Sequence, residues 1–225
     1  MRKKPMSLGK LLAEVLGTAM IVTSVLGAGF MTYILQAGYP LGLFMIAVTV
    51  GCVLFVAISM LGPISGAHFN PAVSLAFLLR KQMGFAEFWG YVAAQVLGGV
   101  AGAIVANLMF KLDLVNISTV ERFSAETAVG EAVATLGLVL LILLLVHFEK
   151  AHLVAAAVGA WIVAGHMFTS STSFANPAVT IGRMLSEAPS GIEPYSGAMF
   201  IVFQVLGALL ALALFAALTK EKANG

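Results

Sequence analysis

Six apolar stretches fall near residues 8–35, 40–61, 86–110, 125–148, 152–168 and 195–218. A helix of about 20 residues crosses roughly 30 Å of hydrocarbon, so each stretch is a candidate membrane span. Two further apolar pieces, 70–79 and 176–185, are too short to cross and read as half-helices. Composition leaves no soluble alternative. Only 10% of residues are charged and 60% are apolar, whereas a soluble domain carries about 25% charge. The chain must sit in a lipid bilayer. A net charge of +2, with the cations at helix ends, also excludes a basic nucleic-acid binder. The start, Met1-Arg2-Lys3-Lys4, resembles the charged region of a signal peptide, but the apolar run continues too far and reads as a retained first span. The lone cysteine, Cys52, has no internal disulfide partner and is expected as a small buried packing residue.

The chain also repeats itself. Glu14 and Thr18 are four apart, as are Glu131 and Thr135. Asn70-Pro71-Ala72-Val73 recurs as Asn176-Pro177-Ala178-Val179, and Gln-Val-Leu-Gly begins at Gln95 and again at Gln204. The landmarks keep their order, in halves of three spans plus one half-helix. Three is odd, so the second half enters the membrane from the opposite side, an inverted repeat. The chain reads as a single domain over 1–225, with halves 1–118 and 119–225. The fold class is all-α, with six transmembrane helices and two re-entrant half-helices.

Asparagine is a favoured N-cap and proline is favoured at the first helical position, so each Asn-Pro-Ala should start a half-helix. Inversion brings the two starts together near the bilayer midplane, each with about half a positive charge from its peptide dipoles. Non-helical backbone at that depth, expected over 62–69 and 169–175, is tolerated only where buried in protein or lining a water-filled cavity. Its carbonyls would form a ladder of acceptors. Such a path suits small neutral hydrogen-bonding molecules and repels cations and hydrated protons at its centre. An ionisable group inside a span is costly unless it is paired or hydrogen-bonded, and only Glu14 and Glu131 lie deep in the spans.

Six spans put both chain ends on one side, with Arg2, Lys3, Lys4, Lys10, Arg80, Lys81, Lys150, Lys220 and Lys222. Lys111, Arg122 and Arg183 fall on the other. The positive-inside rule then places both termini in the cytoplasm. Gly98 and Gly102 are four apart, as are Ala94 and Gly98, a spacing that lets membrane helices approach closely and reads as packing within the subunit.

The run S-G-A-H-F-N-P-A-V, Ser65 to Val73, with a second Asn-Pro-Ala, resembles the aquaporin, or major intrinsic protein, family of water and small-solute channels over essentially all 225 residues. The resemblance implies a homotetramer with one pore per subunit and no cofactor. In that family the helix glutamates help hold the re-entrant loops, a role that falls here to Glu14 and Glu131. His68, just before the first motif, is read as ordering its loop. Most of the family has an arginine directly after the second Asn-Pro-Ala; here it is Val179. The filter position on the second span, commonly aromatic or histidine, falls on Val50, and the loop position on Ser173. The fifth-span position is Ala164 by counting back from Asn176, or His166 by aligning on a filter-type histidine. A filter without arginine or aromatic is wider and less polar, which argues against strict water selectivity. Polyol facilitators usually follow the arginine with aspartate, whereas Val179 is followed by Thr180. The run Thr169 to Val179 resembles bacterial members that lack the arginine and are associated with arsenic-resistance genes. Arsenite, an uncharged trihydroxide at neutral pH, and methylated arsenicals are then the implied solutes, beside water and polyols. Loss of the arginine also removes one barrier to cations.

A coupled secondary transporter and a closed structural membrane protein are the competing readings. An enzyme is not expected, since no paired carboxylates, nucleophile–base arrangement or metal-ligand spacing among His68, His147, His152 and His166 is present. The tails, to about residue 7 and from 219, read as too short for a regulatory domain. The compact length points to a bacterial inner membrane.

Overall fold

The computed structural model describes residues 7–219. The basic residues Arg2, Lys3, Lys4, Lys220 and Lys222 lie outside that range. Eight α-helices follow in order: α1 Leu8–Ile34, α2 Tyr39–Ser65, α3 Pro71–Leu79, α4 Phe85–Met109, α5 Ala125–His147, α6 Val154–Phe168, α7 Pro177–Arg183 and α8 Pro194–Thr219. A 3-10 turn, Ala151–Leu153, leads into α6 and lengthens it to a candidate span. Among the described residues, six helical segments are long and apolar enough to cross a membrane. The half-helices α3 and α7 are the short pieces expected from the sequence.

Local chemistry sets the helix ends. Ser7 caps α1 by accepting from the Lys10 backbone N–H at 3.3 Å. Ser124 and Thr127 form a capping box at the start of α5. One boundary departs from expectation: helix α2 runs through Pro63 to Ser65, so the first loop is non-helical from residue 66 rather than 62. Proline's fixed φ is itself helical, so the last turn passes through it with the loss of one ladder bond, that to the Ser59 carbonyl. The turn is then closed by Gly66 at φ 87°, whose N–H returns to the Gly62 carbonyl.

The solvent preferences are those of lipid. Leu97 and Leu210 are 63% and 53% exposed on α4 and α8, while Gln95 and Gln204, on the same two helices, are wholly buried. Lipid tails are as apolar as leucine, so burial sorts by polarity satisfied rather than by apolar area removed from water. The same logic corrects the reading of Cys52, which is exposed on α2. In a chain solvated by lipid, an apolar neighbourhood does not imply an interior one.

Small residues bring the helices together. A Cβ added to Gly102 on α4 would lie 2.6 Å from the Ala19 carbonyl oxygen of α1, and one on Gly98 would meet the Val15 carbonyl. Gly207 on α8 repeats this against the Ala132 carbonyl of α5. Val15 and Ala132 directly follow Glu14 and Glu131, so the two crossings are related by the repeat. The half-helix α7 is seated in the same way: Gly99 of α4 packs against the Ala178 carbonyl, and Gly182 against that of Gly99.

Gly102→Val should therefore force α1 from α4. Overpacking of this kind costs about 1–3 kcal/mol, visible as a lower Tm and a smaller monodisperse fraction of detergent-purified protein. An unchanged melting profile would show that the crossing tolerates a side chain.

Candidate functional site

The two loops that break the membrane are each held by one carboxylate. Glu14 of α1 accepts from the backbone N–H groups of His68 (3.0 Å) and Phe69 (2.7 Å), from Ser65 Oγ (2.6 Å) and from Gln95 Nε2 (2.8 Å). Glu131 of α5 accepts from the N–H groups of Phe174 and Ala175, both at 2.9 Å, and from Gln204 Nε2 at 2.6 Å. Both carboxylates are fully buried. The glutamines do a second job in register: Gln95 also donates to Ser74 Oγ and Gln204 to Thr180 Oγ1, both at 3.0 Å. Each thus ties a span to a half-helix, four residues past its asparagine.

These bonds hold backbone that is unfavourable by itself. Ala67 and Phe69, and in the second loop Ser173 and Ala175, have φ between 48° and 52°. For a residue with a Cβ that region is uncommon and costs of order 1–3 kcal/mol. The twist gives the loops their use. The carbonyls of Ala67, His68, Ser173 and Phe174 accept from no group among the described residues, and all four residues line one cavity. Unpaired carbonyls on cavity-lining residues are what an acceptor ladder requires.

At the centre the two asparagines interlock. Asn70 Oδ1 caps α3 through the Ala72 N–H at 2.8 Å, and Asn176 Oδ1 caps α7 through those of Ala178 (3.0 Å) and Val179 (3.3 Å). Each amide then reaches into the other half: Asn70 Nδ2 donates to the Ala175 carbonyl at 2.7 Å and Asn176 Nδ2 to that of Phe69 at 2.8 Å. An amide carries two N–H donors, so each asparagine keeps one for the cavity that both line.

The cavity encloses about 530 Å³ and extends from Val146 and His152, near the α5–α6 connection, past the asparagines to Arg183. Val50, His166, Ser173 and Val179 all line it. Ala164 does not; it is exposed on the opposite side of α6. His166 Nδ1 is paired with the Ile162 carbonyl at 2.8 Å, whereas its buried Nε2 and the buried Ser173 Oγ have no partner among the described residues. Two polar atoms are thus left for whatever occupies the cavity. His68 also lines it, but its Nδ1 is paired with Ser74 Oγ at 3.1 Å and its ring packs between Phe77 and Tyr91.

The sequence reading missed Arg183. The sequence counts it only among the basic residues of the far side; in the structure it is 3% exposed and lines the cavity. The signal was present in its spacing, four residues after Val179 on the same half-helix.

Comparison with known proteins converges on one family. A model of the major intrinsic protein family matches residues 1–175. The chain is 43% identical over 202 residues to Aquaglyceroporin AqpS of Rhizobium meliloti (strain 1021), across 90% of this chain and 86% of that one. It is 35% identical over 189 residues to Aquaporin NIP3-1 of Arabidopsis thaliana, across 78% of this chain and 58% of the other. The X-ray structure of the aquaglyceroporin from Plasmodium falciparum superimposes with a TM-score of 0.79 over 96% of this chain and 98% of that one. At 20% identity this last likeness speaks for the fold alone.

Glu131→Ala strands the Phe174 and Ala175 N–H groups and the Gln204 amide, at about 1–3 kcal/mol for each buried donor. A large drop in Tm and loss of flux after reconstitution are expected, with Glu131→Gln, which keeps one acceptor oxygen, in between. Wild-type stability in Glu131→Ala would mean that the second loop is held by other bonds.

Proposed function

The chain belongs to the major intrinsic protein family, and we propose that its pore is a wide-filter member that passes polyol-like neutral solutes, including metalloid hydroxides. The coarser function comes with the family: an integral membrane protein, a passive channel for water and small uncharged solutes, and not an enzyme. The finer reading rests on one observation. Of the residues at the proposed filter, Val50 and Val179 present only aliphatic surface, while His166 Nε2 and Ser173 Oγ are left without partners among the described residues.

Two valines remove bulk and donors from the narrowest part of a family pore and leave it broad and weakly polar. The remaining nitrogen and hydroxyl suit a solute that presents several hydroxyl groups around a compact centre. Glycerol and arsenite, As(OH)₃, share that chemistry. A methylated arsenical keeps part of it and can turn its methyl group to valine. Glu14, Glu131 and His68 serve as loop scaffold, and Asn70 and Asn176 orient the solute between the half-helices. The resemblance also supports a homotetramer with one pore per subunit. The distribution of basic residues supports cytoplasmic termini in a bacterial inner membrane.

Stopped-flow light scattering of reconstituted vesicles under water, glycerol and arsenite gradients tests this reading. The parent should admit both solutes faster than protein-free vesicles. Val179→Arg should slow solute influx roughly tenfold by narrowing the filter and refilling it with donors, with water flow much less affected. Rapid water flow in the parent with neither solute admitted would make this a water-selective channel despite Val179.

A further inference from the structure

The cavity has a fixed charge that the filter position lacks. Arg183 ends α7, one helical turn beyond Val179 on the same face and about 6 Å farther along the axis. Its Nε donates to the Ser190 carbonyl at 2.6 Å, and its guanidinium carbon stands 3.3 Å from the centroid of the Phe174 ring. No carboxylate among the described residues forms an ion pair with it. Its terminal nitrogens find no acceptor among those residues, yet they are not sealed off, which leaves them open to the cavity that Arg183 lines. Arg122 sits behind the same ring, 5.7 Å from its centroid, but spends Nε on the Gly191 carbonyl and Nη2 on that of Pro189. It contributes charge, with two of its five N–H donors already committed to that loop.

An unpaired guanidinium is too costly to bury in protein without compensation. Here a water-filled passage and an aromatic face supply it. We propose that Arg183 is a specificity-determining residue of this channel: from one turn outside the Val179 constriction it repels cations and offers donors to the oxygens of neutral solutes, while the constriction itself stays wide. The proposal deepens the wide-filter reading and rests on it. Charge and width, which a filter arginine would combine at one position, are separated along the half-helix. Solutes too broad for an arginine-lined constriction pass Val179 and still meet a permanent cation. The competing role is a clasp, in which Arg183 merely ties Phe174 to the 184–192 loop through Ser190.

Reconstituted parent, Arg183→Gln and Arg183→Lys distinguish the two. Vesicles loaded with a potassium-sensitive dye report cation leak, and the same preparations report glycerol and arsenite influx by light scattering. A unit charge about 6 Å from a cation at the level of Val179, at an effective dielectric near 20, opposes it on the order of a hundredfold. Arg183→Gln should therefore raise cation leak by roughly 10–100-fold, with solutes still admitted. Arg183→Lys should stay as tight as the parent at neutral pH. It should then begin to leak as the pH rises through the lysine range near 10.4, where arginine keeps its charge. A clasp predicts neither the leak nor its pH dependence. A folded Arg183→Gln as tight as the parent would overturn the proposal. If that variant fails to assemble, Arg183→Lys decides alone, and a leak unchanged by pH counts against the charge. A parent that excludes glycerol and arsenite while Arg183→Gln leaks cations would sink the wide filter and leave the charge barrier standing.

Discussion

Everything at the centre of this molecule depends on two carboxylates placed where carboxylates are least welcome. Glu14 and Glu131 lie fully buried in membrane-spanning helices, and each is surrounded by donors rather than by a cation. The exchange is mutual. The loops need an acceptor because their backbone, twisted into the left-handed region at Ala67, Phe69, Ser173 and Ala175, has given up the ladder that normally satisfies N–H groups in lipid. The carboxylates need donors because nothing else at that depth offsets their desolvation. Neither half of the arrangement is stable alone.

With the loops fixed, their carbonyls are free to face inward and the half-helices are free to point their N-termini at each other. Close helix crossings at Gly98, Gly102 and Gly207 set the helices that carry the carboxylates against those that carry the glutamines. Packing and polarity therefore meet at the same turns of helix, since Gly98 and Gly207 pack against the carbonyls of Val15 and Ala132, the residues that directly follow Glu14 and Glu131. The polar lining of the cavity is the visible result of bonds made one layer behind it.

Much of this was legible in the sequence because lipid imposes strict rules. Span number, half-helices, the inverted repeat and the buried glutamates follow from apolar length, from Asn-Pro at helix starts and from the rarity of charge in spans. What was not legible depended on helical phase and on lipid itself. Pro63 carries the same letters whether it breaks a helix or sits in its last turn. Cys52 has apolar neighbours on the outside of the molecule as readily as on the inside. Ala164 and His166 are two residues apart and face opposite ways, so a count across an irregular loop does not tell which of them lines the cavity, whereas the position of α6 does. Arg183 was hidden by its position at the end of a short helix, where a basic residue reads as a surface charge until the loop at 184–192 is seen folded back over it.

The interlocked asparagines set a timetable for synthesis. The acceptor for the Asn70 amide is the Ala175 carbonyl, 105 residues downstream. At about 5–20 residues per second the ribosome needs roughly 5–20 s to supply it. Throughout that interval the first loop has its central bond unmade and depends on partners within its own half, Glu14, Thr18 and Tyr91. Completion of the passage is therefore a late, post-insertion event in which two separately delivered pieces of chain close on each other. A stalled or truncated nascent chain would leave an unlatched half rather than a working smaller pore.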